Sequence, residues 1–376
     1  MKVTILNAYS ILREDKTGVD VFWSELTRAF LHYEKVVDIK IAEIAPGAKQ
    51  LKERCKSEEN TFVKDSLLLK RIPYRWRELI PIEWLTGRSG VFLVGGWMPK
   101  KTRNSTKILP VIHDLMIYRY PENYSKESYH YQDVYFKKCA KKADMIIVVS
   151  ETTKQDVVKY LNVSPDKIFI VNNGVSEDFA KRVALDEVDT TRIDYSRKYL
   201  LYIGAMRRNK NLMRTIQAFE KYCNDNPGED LFFYIAGAKK GEYENLHNYV
   251  IEHQLEDRVI FIGYVSDTEK QLLYKNAYAS VLVSEFEGFG IPIVESMAAG
   301  TPVITSNCSS MKEIAEGYGI LVDPMDIESI ESGISLLKDA GTYKDYVRKG
   351  YVCAEKYSWN HAAKQLMDLC RDISAE

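Results

Sequence analysis

The chain has almost no net charge. Over 376 residues, 52 lysines and arginines oppose 53 aspartates and glutamates, leaving −1 at neutral pH. A nucleic-acid binder carries a clear basic excess, so nucleic acid is not an expected partner. There is no run of 18 apolar residues, which excludes a membrane-spanning helix. The opening Met1-Lys2-Val3-Thr4-Ile5-Leu6-Asn7 enters a strand pattern at once. It lacks the long apolar segment of a signal peptide. The six cysteines (Cys55, Cys139, Cys223, Cys308, Cys353, Cys370) form no C-x-x-C and no metal-ligand spacing. Several fall in apolar helical contexts, as packed thiols do. No G-x-G-x-x-G and no Walker A sequence occurs, which argues against an ordinary NAD enzyme and a P-loop NTPase. A reducing cytoplasm is the expected compartment.

What is present is an alternation. Hydrophobic residues are 45% and charged residues 28% of a chain long enough for two domains. Strand patterns at 3–8, 91–94, 108–112, 145–149 and 168–171 are separated by helical spacing, as at 19–31, where Phe22, Leu26 and Phe30 share a face. A helix is expected from about 153 to 161. A polar stretch, 176–198, lacks apolar periodicity and reads as a linker. A second series then runs through 199–203, 231–235, 259–262, 279–283, 303–305 and 319–322. Fully apolar strands alternating with helices predict parallel sheets covered on both faces. The fold class is α/β: two Rossmann-like, doubly wound domains facing a central cleft. Their expected bounds are 1–180, joined by the C-terminal helix 357–376, and 197–356.

The densest information lies between Ser284 and Pro302. Glu287 and Glu295 are separated by seven residues, with Gly288-Phe289-Gly290-Ile291-Pro292 between them and Gly300-Thr301-Pro302 beyond. Apolar runs flank the segment, so it reads strand, glycine turn, short helix, strand. Pro292 suits the first helical position and Gly300 the residue past the end, leaving a helix of about two turns. Ligands of open α/β sheets bind outside the carboxyl ends of strands, and a helix amino end there favours phosphate. Glu295 is expected in the first turn of that helix and Glu287 across the same opening. Two glutamates near a helix start are also explained by capping electrostatics alone; the whole pattern argues against so plain an origin.

This segment resembles, nearly residue for residue, the E-x7-E signature of retaining GT-B glycosyltransferases of family 4. The resemblance implies the GT-B fold and, for Glu287, a place by the donor sugar. For Glu295 it implies a hydrogen bond to the nucleotide ribose, and for Gly288, Phe289, Gly290 and Ile291 a share in donor binding. In Gly204-Ala205-Met206-Arg207-Arg208-Asn209-Lys210-Asn211 the family carries G-x-x-x-P-R-K-N. Lys210 and Asn211 match; Asn209 stands at the arginine position and Arg208 at the proline position. Lys210 is thereby assigned to the donor diphosphate, with Arg207 or Arg208 as substitutes for the missing arginine. Val265, after Gly263-Tyr264, falls where family backbone meets the base. His113, followed by Asp114, falls where a histidine lies over the donor sugar; a buried histidine satisfied by backbone is the plainer alternative. Gly18 matches a short glycine loop, and a simple turn explains it nearly as well.

The resemblance, closest to bacterial O-antigen and capsule mannosyltransferases, implies retention at the anomeric carbon, no essential metal and no cofactor. No Asp-x-Asp motif occurs. The donor is a nucleotide sugar, GDP-mannose or a UDP-sugar foremost, and the acceptor a glycan or lipid-linked glycan bound by loops such as 9–18 and 95–104. Residues 64–88 mix cations with Tyr74, Trp76 and Trp84. They read either as a peripheral contact with the inner face of the membrane or as a packed surface helix, and Pro73 and Pro81 weaken the former. Two other classes remain open: a non-catalytic GT-B scaffold or partner subunit, which Asn209 favours slightly, and a nucleotide-sugar epimerase.

Overall fold

The computed structural model describes residues 2–6, 17–31, 38–43, 61–63, 81–96, 98–99, 102–103, 105–176, 179 and 193–375. The loop 9–16 and residues 64–80 of the basic-aromatic segment lie outside them. The chain divides into two compact units, residues 1–173 with 359–376, and residues 174–358.

Among the described residues the first unit holds seven strands: β1 (Lys2–Leu6), β2 (Asp38–Glu43), β3 (Thr61–Val63), β4 (Val91–Gly95), β5 (Lys107–Ile112), β6 (Ile146–Val148) and β7 (Ile168–Ile170). All pair in parallel, in the order β3-β2-β1-β4-β5-β6-β7. Every residue of β4 is buried, as a strand covered on both faces requires. Helix α1 (Gly18–Leu31) turns Phe22, Leu26 and Phe30 into the core. Trp23 of α1 lies so close to Gly95 that a Cβ there would come within 2.6 Å of its ring. Helices α2 (Lys126–Lys142) and α3 (Glu151–Leu161) begin at Ser125 and Ser150, whose side chains accept from Ser128 N–H and Thr153 N–H. That serine cap starts α3 two residues before the periodicity does. The last helix, Trp359–Ala375, packs on α1, with the Trp359 and Phe22 rings 5.8 Å apart.

The second unit holds β8 (Lys198–Ile203), β9 (Leu231–Ala236), β10 (Val259–Gly263), β11 (Ala279–Leu282), β12 (Val303–Ser306) and β13 (Ile320–Val322). These too are all parallel, in the order β10-β9-β8-β11-β12-β13. Its helices include α4 (Leu212–Asp225), α5 (Tyr243–Glu252), α6 (Asp267–Asn276), α7 (Ile291–Ala298) and α8 (Ser309–Ala315). The stretch read as a linker contributes to this core: Phe179, Ile193 and Tyr195 are buried with Tyr199, Tyr234 and Tyr274. Among the described residues no helix is long and apolar enough to cross a membrane.

Candidate active site

In the second unit strand order reverses between β8 and β11: β9 and β10 extend to one side, β12 and β13 to the other. Such a reversal is where open α/β sheets bind ligands, outside the carboxyl ends of their strands. The β8 loop carries Lys210 and the β11 loop carries Glu287. Lys210 Nζ lies 2.5 Å from Glu287 Oε1, and Ser284 Oγ donates to the same oxygen at 2.6 Å. Both side chains are largely withdrawn from water. The loops are also joined by backbone: Glu285 N–H donates to Asn209 C=O at 2.8 Å. The buried Asn209 amide donates to Phe286 C=O at 3.3 Å. Asn209 therefore holds the two loops together at the place where the family carries an arginine. Arg214 of α4 reaches Glu285 at 3.1 Å. Beneath them the Tyr202 phenol is pushed well above its ordinary pKa, by burial first and by the Glu287 charge second.

Helix α7 starts at Gly290, whose φ of +110° lies in the left-handed region that favours glycine. Gly290 is the cap, so Pro292 occupies the second helical position and not the first. Glu295 consequently falls in the second turn of α7, not the first. It is buried, and its Oε1 lies 2.8 Å from Lys270 Nζ on α6. The Lys270 ammonium is held above its ordinary pKa: burial opposes the charge, and Glu295, with Asp267 after it, more than offsets that. The same Nζ lies over the Phe179 ring, 5.3 Å from its centroid. Nothing in the sequence pattern pairs Lys270 with Glu295, because the contact joins different helices. Ser309 and Ser310, at the start of α8, also escaped the sequence reading; both hydroxyls reach the Glu287 carbonyl.

The neighbouring strand ends are closed by glycines. Gly204 N–H donates to Ala236 C=O, and Gly237 N–H to Gly263 C=O. A Cβ on Gly237 would come within 2.0 Å of the Gly204 carbonyl oxygen, and one on Gly241 within 2.4 Å of the Met206 oxygen. The β8, β9 and β10 loops thus touch backbone to backbone. Arg207 and Arg208 are exposed on the first of these loops, and Val265 is half-buried on the third, packed on the core. Gly288 is half-buried, while Phe289 is buried with its ring 5.6 Å from that of Tyr357.

His113 and Gly18 belong to the first unit. His113 follows β5, its ring edge-on to Phe22 at 4.8 Å. Its Nε2 is buried with no hydrogen-bond partner among the described residues, so the reading of a histidine satisfied by backbone finds no support there for that nitrogen. Burial lowers its pKa to about 4 against the pull of Asp20, leaving it neutral at pH 7. Gly18 opens α1 after Thr17, whose N–H and hydroxyl both donate to Asp20 at 2.9 and 2.7 Å. A Cβ on Gly18 would meet nothing within 4 Å, so no contact with the described residues requires glycine there. Among the described residues no three His, Cys, Asp or Glu side chains are grouped to hold a metal ion.

The family model "Glycosyl transferases group 1" matches residues 186–352, and "Glycosyltransferase Family 4" matches 68–179. Together they account for most of the chain. Residues 186–352 thus carry a group 1 glycosyltransferase domain and residues 68–179 a glycosyltransferase family 4 domain. Among its relatives, O-antigen chain mannosyltransferase B of Escherichia coli is 27% identical over 70% of this chain and 69% of its own. O-antigen chain mannosyltransferase RfbU of Salmonella typhimurium is 32% identical over 59% of this chain. That match spans 58% of the relative's length. The sucrose-phosphate synthase structure from Thermosynechococcus elongatus superposes with a TM-score of 0.78 over 100% of this chain and 99% of its own, at 18% identity. The GT-B architecture expected from the E-x7-E segment is therefore the architecture of this glycosyltransferase.

Proposed function

We propose that this glycosyltransferase moves a hexose, mannose first among candidates, from a nucleoside-diphosphate donor to a hydroxyl of a glycan or lipid-linked glycan. In this reading the anomeric configuration is retained, no metal or cofactor takes part, and the product is a bacterial surface polysaccharide. The observation that carries it is the Lys210–Glu287 pair, 2.5 Å apart at the strand-order reversal. Transfer breaks the bond from the anomeric carbon to the phosphate oxygen and forms one to the acceptor oxygen, whose proton leaves with the diphosphate. Charge therefore grows at two places. Lys210, with Arg207 and Arg208 on the same loop, meets the leaving diphosphate; fixed charge aimed at a developing anion is a large catalytic term. The Glu287 carboxylate meets the cationic character of the sugar carbon. Glu295 takes the ribose hydroxyls, Gly288 to Ile291 and Gly204 offer backbone to the donor, and Val265 meets the base. His113, neutral and with no partner for Nε2 among the described residues, hydrogen-bonds a sugar hydroxyl, while Gly18 presents backbone to a phosphate or sugar. The mannosyltransferase relatives support the choice of sugar and setting. The reading leaves the chain on the cytoplasmic side, with peripheral membrane contact through the 64–88 segment.

Thermal unfolding with UDP, GDP, dTDP and ADP, each in EDTA, tests it. A ligand at 100 times its Kd adds about 2.7 kcal/mol, a shift of several degrees in a chain of this size. GDP alone shifting the midpoint supports a GDP-mannose donor. A shift that requires a divalent cation overturns metal independence. Release of nucleotide from the matching sugar donor, lost in Glu287→Ala, separates transfer from a scaffold role; isomerised donor without acceptor would mark an epimerase instead.

A further inference from the structure

Ser309 is one of four described non-glycine residues with positive φ, at +57°. Left-handed backbone is unfavourable for a residue with a Cβ, and such strain persists only where the surroundings hold it. At Ser309 the surroundings are the turn that carries Glu287. The Ser309 hydroxyl donates to Glu287 C=O at 2.7 Å and accepts from Glu287 N–H at 3.3 Å. One side chain thereby holds both polar groups of the residue's own backbone. Ser310 reinforces it, with its hydroxyl 2.9 Å from Glu287 C=O and 2.7 Å from Phe289 C=O. Ser306, at the end of β12, donates to Ser284 C=O at 2.6 Å, fixing the other end of the turn. The Glu287 turn is thus clamped from β12 and the start of α8, an anchorage separate from the β8 loop that supplies Lys210.

We propose that Ser309 is a positioning residue for Glu287: its hydroxyl fixes the orientation of the Glu287 backbone and so the aim of the carboxylate at the sugar carbon. This rests on Glu287 acting at that carbon. The strained backbone is what brings the hydroxyl to bear, and it separates this role from a purely structural one. Ser309→Gly relieves the strain and removes the hydroxyl together. A purely structural role predicts a lower unfolding midpoint with kcat unchanged in the protein that remains folded. A positioning role predicts the same stability with a loosened turn.

Hydrogen–deuterium exchange, thermal unfolding and turnover of the donor chosen by the nucleotide panel, all on the full chain, decide between them. In Ser309→Gly the Glu287 amide is expected to exchange at least tenfold faster, with the unfolding midpoint unchanged or raised. kcat is expected to fall about 10- to 100-fold, the scale of a small misplacement, with KM for the donor within about twofold. Ser309→Ala, which keeps the strain, is expected to lose kcat equally and to be less stable than Ser309→Gly. Unchanged exchange at Glu287 in a folded Ser309→Gly protein overturns the proposal whether or not turnover is measurable. Equal kcat in Ser309→Gly and the parent does so as well. If exchange rises as expected but Glu287→Ala itself turns over normally, it is the role given to Glu287 that fails, not the clamp.

Discussion

Replacing Lys270 by methionine keeps the length of the side chain and removes the only charge facing Glu295 at 2.8 Å among the described contacts. The ammonium side chain is 16% exposed and the carboxylate 7%, so neither is appreciably screened by water. Breaking such a pair by deleting one member costs about 3–5 kcal/mol, because the remaining charge stays buried without a partner. In a body of this size about 1 kcal/mol moves the midpoint by roughly 2–4 °C. Lys270→Met is therefore expected to lower the unfolding temperature of the second unit by about 6–20 °C, read by calorimetry. The double variant Lys270→Met/Glu295→Gln leaves no buried charge and is expected to regain at least half of that loss. Coupling of that size is the signature of a pair acting as a unit. A loss below about 2 °C in the single variant, or a double variant that falls by the sum of the singles, would refute the reasoning.

Two further outcomes follow from other parts of the molecule. His113 has a folded pKa of about 4 against 6.5 unfolded, so between those values the unfolded chain binds the extra proton. Stability contributed there is present above pH 6.5 and lost as pH falls towards 4; in pH-dependent unfolding, His113→Gln should flatten that limb, and an unchanged limb would assign the acid sensitivity elsewhere. Gly237→Ala drives a Cβ to within 2.0 Å of a backbone oxygen, whereas a Cβ on Gly228 meets nothing within 4 Å. The first substitution should lower the midpoint by several degrees and the second leave it within about a degree; equal effects would show that the loops do not touch as described.

The strands were legible because burial on both faces writes a continuous apolar run, as in β4 and β9, where every residue is buried. Helix starts were less so: α3 begins at the Ser150 cap, before its apolar spacing becomes visible. Pro292 falls one position later than the first helical place expected of it, because Gly290, with its positive φ, is the cap and Ile291 opens the helix. Spacing within one segment could bring Glu287 and Glu295 to notice. It could not show that Lys210 meets Glu287 across 77 positions, nor that Lys270 meets Glu295. Those contacts depend on strand order, and no local pattern encodes that β8 pairs with β11. The polar stretch 176–198 hid Phe179, Ile193 and Tyr195 because single buried residues leave no period.

The return of Trp359–Ala375 to the first unit has a consequence during synthesis. Phe22, near the start of the chain, waits for Trp359, near its end, to complete its packing. At about 5–20 residues per second, the ribosome spends on the order of ten seconds or more on the intervening unit. Throughout that interval the face of α1 that receives the last helix has no partner from its own chain. Nascent molecules released before residue 359 would thus carry an unfinished first unit, with the α1 surface that receives the last helix left for a chaperone to find.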